Sequence, residues 1–130
     1  MSRRIRSARP SFDNVPAVLQ DIETVLRSGR LILGSSLTRF EEAFAASVGC
    51  RYAIGVSSCT AALETVLRDV GVEGGEVVVP TLTFVATANA VLYAGGQPVL
   101  VDVDPATWCP DVDTVRHALS RKTRAVILVH

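Results

Sequence analysis

The residues most able to do chemistry in this 130-residue chain are a run of four small ones, Ser57, Ser58, Cys59 and Thr60. Before them stands a short apolar run, Ala53 to Val56, of the kind that fills a buried strand. After them Leu63, Val66, Leu67 and Val70 fall at i, i+3, i+4 and i+7, one face of a helix. A strand, a tight turn and a helix leave the first backbone N–H groups of the helix without partners, aimed into the turn. Aligned peptide dipoles add partial positive charge at the same end. The side chains are small enough for a ligand to reach the backbone, and the Ser58 and Thr60 hydroxyls are further donors. Such a turn suits an anion, most often a phosphate. The same residues also suit a helix that is merely capped, because Ser and Thr are good N-caps.

Cys59 opens a second possibility. A thiol at a helix N-terminus is a candidate thiolate nucleophile, as in phosphate-loop phosphatases and rhodaneses. Those loops clamp the oxyanion with an arginine a few residues on. Here Thr60-Ala-Ala-Leu-Glu-Thr65 follows, and the first arginine is Arg68, well up the helix. Cys59 therefore reads as a small residue lining the turn. Phe84 sits where a strand passes into a helix and either stacks on a planar ring or packs into the core. Asp102 and Asp104 share a face of an extended strand and could hold a metal, but Asp104 precedes Pro105 and reads as a turn starter. His117 reads as surface; His130 follows a strand without a partner. Neither G-x-x-x-x-G-K-[ST] nor G-x-G-x-x-G occurs.

These residues need elements to position them. Residues 1–36 read as a basic lead-in, a helix and a connector. Asp13 or Asn14 caps that helix, Pro16 is tolerated in its first turn, and Val15, Val18, Leu19, Ile22, Val25 and Leu26 make an apolar stripe up to Gly29. A second helix is expected from the capping box Thr38–Glu41, with Leu37, Phe40, Phe44 and Val48 as its buried face. The strand near 53–56 and its helix follow. Next come a strand at 76–80, a helix with Val85, Ala88, Asn89 and Leu92 on one face, and a strand at 97–102. A short helix started by Pro110 or Asp111 leads to a last strand at 125–129.

Strands alternating with helices predict a mainly parallel sheet in an α/β layered fold. In open sheets of this class, ligands sit beyond the carboxyl ends of the strands. That rule brings Ser57–Thr60, Thr81–Phe84, Asp102–Asp104 and His130 to one rim.

Composition narrows the class. Thirteen acidic and thirteen basic residues balance, so nothing favours nucleic acid or an anionic membrane. No apolar run approaches the roughly 20 residues that span a bilayer. Arg3, Arg4, Arg6 and Arg9 lack an apolar stretch behind them and do not make a secretory signal. Cys50, Cys59 and Cys109 lack the paired spacing of a metal site, so no metal is expected, and they read as reduced thiols of a cytoplasmic protein. Lysine occurs once, at Lys122.

Several stretches, in order, resemble the DegT/DnrJ/EryC1/StrS aminotransferases: Leu37-Thr-Arg-Phe-Glu-Glu-Ala-Phe-Ala45, Ala53-Ile-Gly-Val-Ser-Ser-Cys-Thr-Ala-Ala-Leu63, Val79-Pro-Thr-Leu-Thr-Phe-Val-Ala-Thr-Ala-Asn89, Gly96-Gln-Pro-Val-Leu-Val-Asp-Val-Asp-Pro105 and Ala125-Val-Ile-Leu-Val-His130. The likeness runs from about residue 15 to the last. It implies a three-layer αβα fold, with residues 37–130 as an incomplete N-terminal part of the large domain of the aspartate-aminotransferase type (fold type I). The implied cofactor is pyridoxal 5′-phosphate, its phosphate held at Ser58, Cys59 and Thr60 and its ring stacked on Phe84. The implied partners are an amino-donor amino acid such as glutamate, a nucleotide-linked keto-sugar and a second copy of the chain in a homodimer. Two local departures are visible. Cys59 stands where the family very often has Gly, and the Gly71–Glu76 turn is one residue shorter than usual.

The family's catalytic lysine and the acidic partner of its pyridine nitrogen belong to motifs beyond residue 130, and Lys122 lies in the polar turn Arg121-Lys-Thr-Arg124. No residue of this stretch is therefore assigned as catalytic. The family's fold also sets later strands between the first strand here and the other three. The expectation is an N-terminal third of an aminotransferase, inactive and poorly folded by itself. The alternative is a non-catalytic binding or regulatory protein that keeps only the phosphate turn.

Overall fold

The chain divides into two compact units, Met1–Gly55 and Val56–His130. The computed structural model describes residues 10–129, so the four N-terminal arginines and His130 lie outside the described residues.

In the first unit, α1 (Val15–Ser28) starts as its sequence dictates. The Asn14 side chain accepts the Ala17 N–H at 3.1 Å, and Pro16 occupies the first turn, where a missing N–H costs nothing. Gly29 stops the helix in the left-handed region at φ 66°. The second helix, α2 (Ser35–Val48), begins earlier than the Thr38–Glu41 spacing predicts, with Gly34 as N-cap. Thr38 and Glu41 thus lie inside the helix and form no capping box. The Glu41 carboxylate instead accepts the Gly55 N–H at 2.7 Å. The expected buried face is also corrected. Phe40 and Phe44 pack on each other at 5.9 Å between ring centres, yet both are at least half exposed, as is Val48. Only Ala45 of α2 is buried. An apolar helix stripe is buried only against a second layer, and on α1 Val15, Leu19, Ile22 and Leu26 are likewise about half exposed or more.

The expected strand at 53–56 forms no ladder, and Ile54 is 82% exposed. An extended segment without a lateral neighbour has nothing to exchange its backbone hydrogen bonds with, and among the described residues no strand runs beside it.

The second unit is an α/β layer. Its elements are α3 (Cys59–Val70), β1 (Glu76–Pro80), α4 (Ala86–Tyr93), β2 (Gln97–Val101), α5 (Val112–Ala118) and β3 (Thr123–Val126). The strands run parallel in the order β2-β1-β3. Val77, Val78 and Val79 of the central strand are fully buried, as a run covered on both faces requires. The last strand starts at Thr123 and ends at Val126 rather than spanning 125–129, with a register shift opposite Glu76 and Val77. At Gly75, just before β1, a Cβ would stand 2.5 Å from Arg124 Cγ and 3.0 Å from the Lys122 carbonyl oxygen, so only glycine lets β1 enter here.

Leu67, Val72, Val77, Val79, Ala90, Val91 and Ala94 make the core, with Leu63, Ala125 and Ile127 against it. The buried face of α4 is therefore Thr87, Ala90, Val91 and Ala94, not Val85, Ala88, Asn89 and Leu92; Val85 and Leu92 are more than half exposed. Small residues win that face because α4 lies close on both α3 and the sheet.

Candidate functional site

Two helices share a direction, and that places the site. α3 packs along α4. The Gly74 N–H donates to the Gly95 carbonyl at 2.9 Å, and the Arg68 guanidinium donates to the Tyr93 carbonyl, so the two helices end side by side. α4 starts just beyond the carboxyl end of β1. Hence both N-termini face the carboxyl rim of the sheet, carrying Ser58–Thr60 and Thr81–Phe84 with them.

At the opening of α3, Ser58 is the N-cap: its hydroxyl oxygen accepts the Ala61 N–H at 3.2 Å, and its carbonyl accepts the Ala62 N–H at 3.1 Å. The N–H groups of Cys59 and Thr60 have no acceptor among the described residues. Cys59 is exposed and Thr60 half-buried at this turn. The capped helix of the bland reading and the open amides of the anion reading thus coexist in one turn.

On the β1–α4 connection Phe84 is 77% exposed, so its ring does not pack into the core of the described residues. Its carbonyl accepts the Thr87 N–H at 3.0 Å. The Thr83 and Thr87 hydroxyls are 2.8 Å apart. Sequence reading missed this pair; its signal was a threonine on the buried face of α4, four residues after another. Thr81 is tied to the next rim segment, its N–H on the Val101 carbonyl at 2.8 Å and its hydroxyl 3.5 Å from the Asp102 carboxylate.

The remaining candidates resolve as structure. Asp104 accepts the N–H groups of Ala106 and Thr107 at 2.7 and 2.9 Å, a turn built on its own carboxylate. The same turn holds Trp108 at φ 63°, unusual for a bulky residue, with its side chain exposed. Among the described residues no group of His, Cys, Asp and Glu is placed to hold a metal, and no helix is long and apolar enough to cross a membrane. His117 is exposed, its Nδ1 2.6 Å from the Asp113 carbonyl oxygen. Lys122 precedes β3, and its carbonyl accepts the Glu76 N–H at 2.9 Å, which sets it at the amino ends of the strands, opposite the rim.

Comparison with known proteins gives this geometry a context. Residues 14–130 match the model of the DegT/DnrJ/EryC1/StrS aminotransferase family. The spore coat polysaccharide biosynthesis protein SpsC of Bacillus subtilis is 40% identical over 113 residues, 86% of this chain and 29% of SpsC. Among solved structures, NtdA from Bacillus subtilis, with its bound cofactor PMP, superposes with a TM-score of 0.87 at 34% identity, covering 100% of this chain and 32% of NtdA. The aminotransferase TlmJ from Streptoalloteichus hindustanus gives 0.81 at 37% identity, over 95% of this chain and 34% of TlmJ. The chain thus spans about a third of the length of the proteins it matches. A parallel α/β layer of this topology, matched by sequence over nearly its whole length, makes the chain a member of the DegT/DnrJ/EryC1/StrS aminotransferase family, with an αβα fold.

Proposed function

We propose that this chain is the coenzyme-phosphate end of a pyridoxal 5′-phosphate-dependent sugar aminotransferase. The observation that carries the reading is the turn at the start of α3. There the Cys59 and Thr60 N–H groups have no acceptor among the described residues, on the same rim as the exposed Phe84. Two open amides at a helix N-terminus fit a phosphate dianion, and a free aromatic face beside them fits a planar ring.

In this reading Thr60 adds its hydroxyl to the amides, and Ser58 fixes the first turn of α3 so that they stay aligned. The Cys59 side chain borders the turn and takes no part in the chemistry. Phe84 covers one face of the ring and keeps water from it. Bound pyridoxal 5′-phosphate supplies the carbonyl and the electron-withdrawing ring through which an amino group passes. The donor is an amino acid such as glutamate and the acceptor a keto group on a nucleotide-linked sugar, in a cytoplasmic homodimer. The place of Lys122 at the opposite end of the strands supports assigning the catalytic amine elsewhere. Residues 1–130 alone accordingly catalyse no transfer.

The test is binding of pyridoxamine 5′-phosphate, whose amine keeps the association non-covalent, to the full-length protein by equilibrium dialysis. Replacing Thr60 by Val and Phe84 by Ala should each weaken it, and in the same preparation glutamate-dependent amination of keto-sugar nucleotides should be found. Undiminished binding in both variants would remove the reading.

A further inference from the structure

We propose that Thr87 is a positioning residue for Phe84, and through it for the heteroaromatic ring that the rim takes; this rests on the reading of the site given above. Phe84 is 77% exposed, so packing does not hold its ring, and its placement depends on the backbone that carries it. Thr87 holds that backbone by two bonds. Its N–H donates to the Phe84 carbonyl at 3.0 Å, and its hydroxyl pairs with that of Thr83 at 2.8 Å, so the Phe84 carbonyl and the residue before Phe84 are tied to one anchor.

The anchor is rigid. Thr87 is 7% exposed and belongs to the α4 face that meets the core. Its hydroxyl also departs from helical habit. Thr24 and Thr65 return theirs to the carbonyl four residues back, at 2.9 and 2.8 Å. Thr87 reaches the Thr83 hydroxyl instead. A buried hydroxyl needs an acceptor, and Thr83 is its only side-chain partner among the described residues. Either hydroxyl can be the donor of this pair, and in either direction the bond ties the Thr83 side chain to the buried Thr87.

The test uses the full-length protein and the variants Thr87→Val, Thr87→Ser, Phe84→Ala and Thr87→Val with Phe84→Ala. The probes are pyridoxamine 5′-phosphate and inorganic phosphate, read by equilibrium dialysis, with circular dichroism of the bound coenzyme as a report on its ring. Valine keeps the shape and loses the hydroxyl, so the expected result is about fivefold weaker coenzyme binding, the size of one lost neutral hydrogen bond. The dichroic band should shrink with it, while inorganic phosphate, which touches only the turn, binds as before. Serine should restore both readings, and the valine should cost nothing further once Phe84 is Ala. Equal loss in the Phe84→Ala background, serine as weak as valine, or a parallel loss of phosphate affinity would each overturn the proposal. Phe84→Ala without effect would overturn the reading of the site itself, and this inference with it.

Discussion

Gly74 donates its N–H to the Gly95 carbonyl at 2.9 Å, lacing the turn that leaves α3 to the turn that leaves α4. This bond lies at the end of the layer away from the rim, and it makes the two helices start together on the other side. Gly95 holds φ 80°, and an added Cβ would come 3.2 Å from Glu73 Cγ. Gly95→Ala should thus cost about 1–2 kcal/mol for the left-handed backbone alone. A denaturant midpoint that does not move would contradict this account of the turn.

Ser58 caps α3, and in the proposed reading it also belongs to the turn that takes the coenzyme phosphate. Ser58→Ala removes the acceptor of the Ala61 N–H and should lower stability by about 1 kcal/mol, whereas Ser58→Gly should cost only a few tenths. Thermal melts of the two variants measure the difference. Coenzyme affinity should follow the same order, because a frayed first turn no longer aligns the Cys59 and Thr60 amides.

What was legible in the sequence was local. Asn14 and Asp111, each one of two candidates for its cap, and Gly29 as the stop of α1 act within one turn of their own position, and all three do so in the structure. The strand Glu76–Pro80 was equally plain, because a valine run covered on both faces has no other home. What was not legible depends on neighbours. On α4 the larger side chains Val85 and Leu92 outweigh Thr87 and Ala90 in any apolar count. Burial instead follows closeness of approach, which selects the smaller ones. Among the described residues Phe40 and Phe44 have a helical stripe without a covering layer, and the run at 53–56 has strand composition without a partner strand. The Ser58–Thr60 turn could be singled out because what it offers is backbone chemistry, whereas Thr87 was hidden as one more residue in a helix.

Acid should loosen α5 before the rest. Asp111 caps it, its carboxylate accepting the Thr114 N–H at 2.6 Å. That bond is the largest influence holding the Asp111 carboxyl below its ordinary 3.8, with the Thr114 side chain, the Asp113 N–H and the His117 charge acting the same way. The folded value is the lower one, so the stabilisation is complete above pH 3.8 and fades as pH falls through the depressed value. Asp111→Asn keeps an acceptor that does not titrate. The protection factor of the Thr114 amide, its exchange rate set against the intrinsic rate at each pH, should fall between pH 5 and 2 in the parent and stay level in Asp111→Asn.

Cys59 separates a backbone site from a thiol site. It is exposed in the first turn of α3, where a nucleophile would stand, but no arginine follows until Arg68, whose guanidinium is engaged with Glu64 at 2.9 Å and with the Tyr93 carbonyl. If the turn works through amides, the side chain at this position matters only for its size. Cys59→Ser should then leave coenzyme affinity and amino transfer within twofold, and stability within about 0.5 kcal/mol as for other exposed substitutions. Cys59→Leu should weaken binding by crowding the approach to the Thr60 N–H. Activity lost in Cys59→Ser with binding intact would move the chemistry onto the sulfur and away from the backbone.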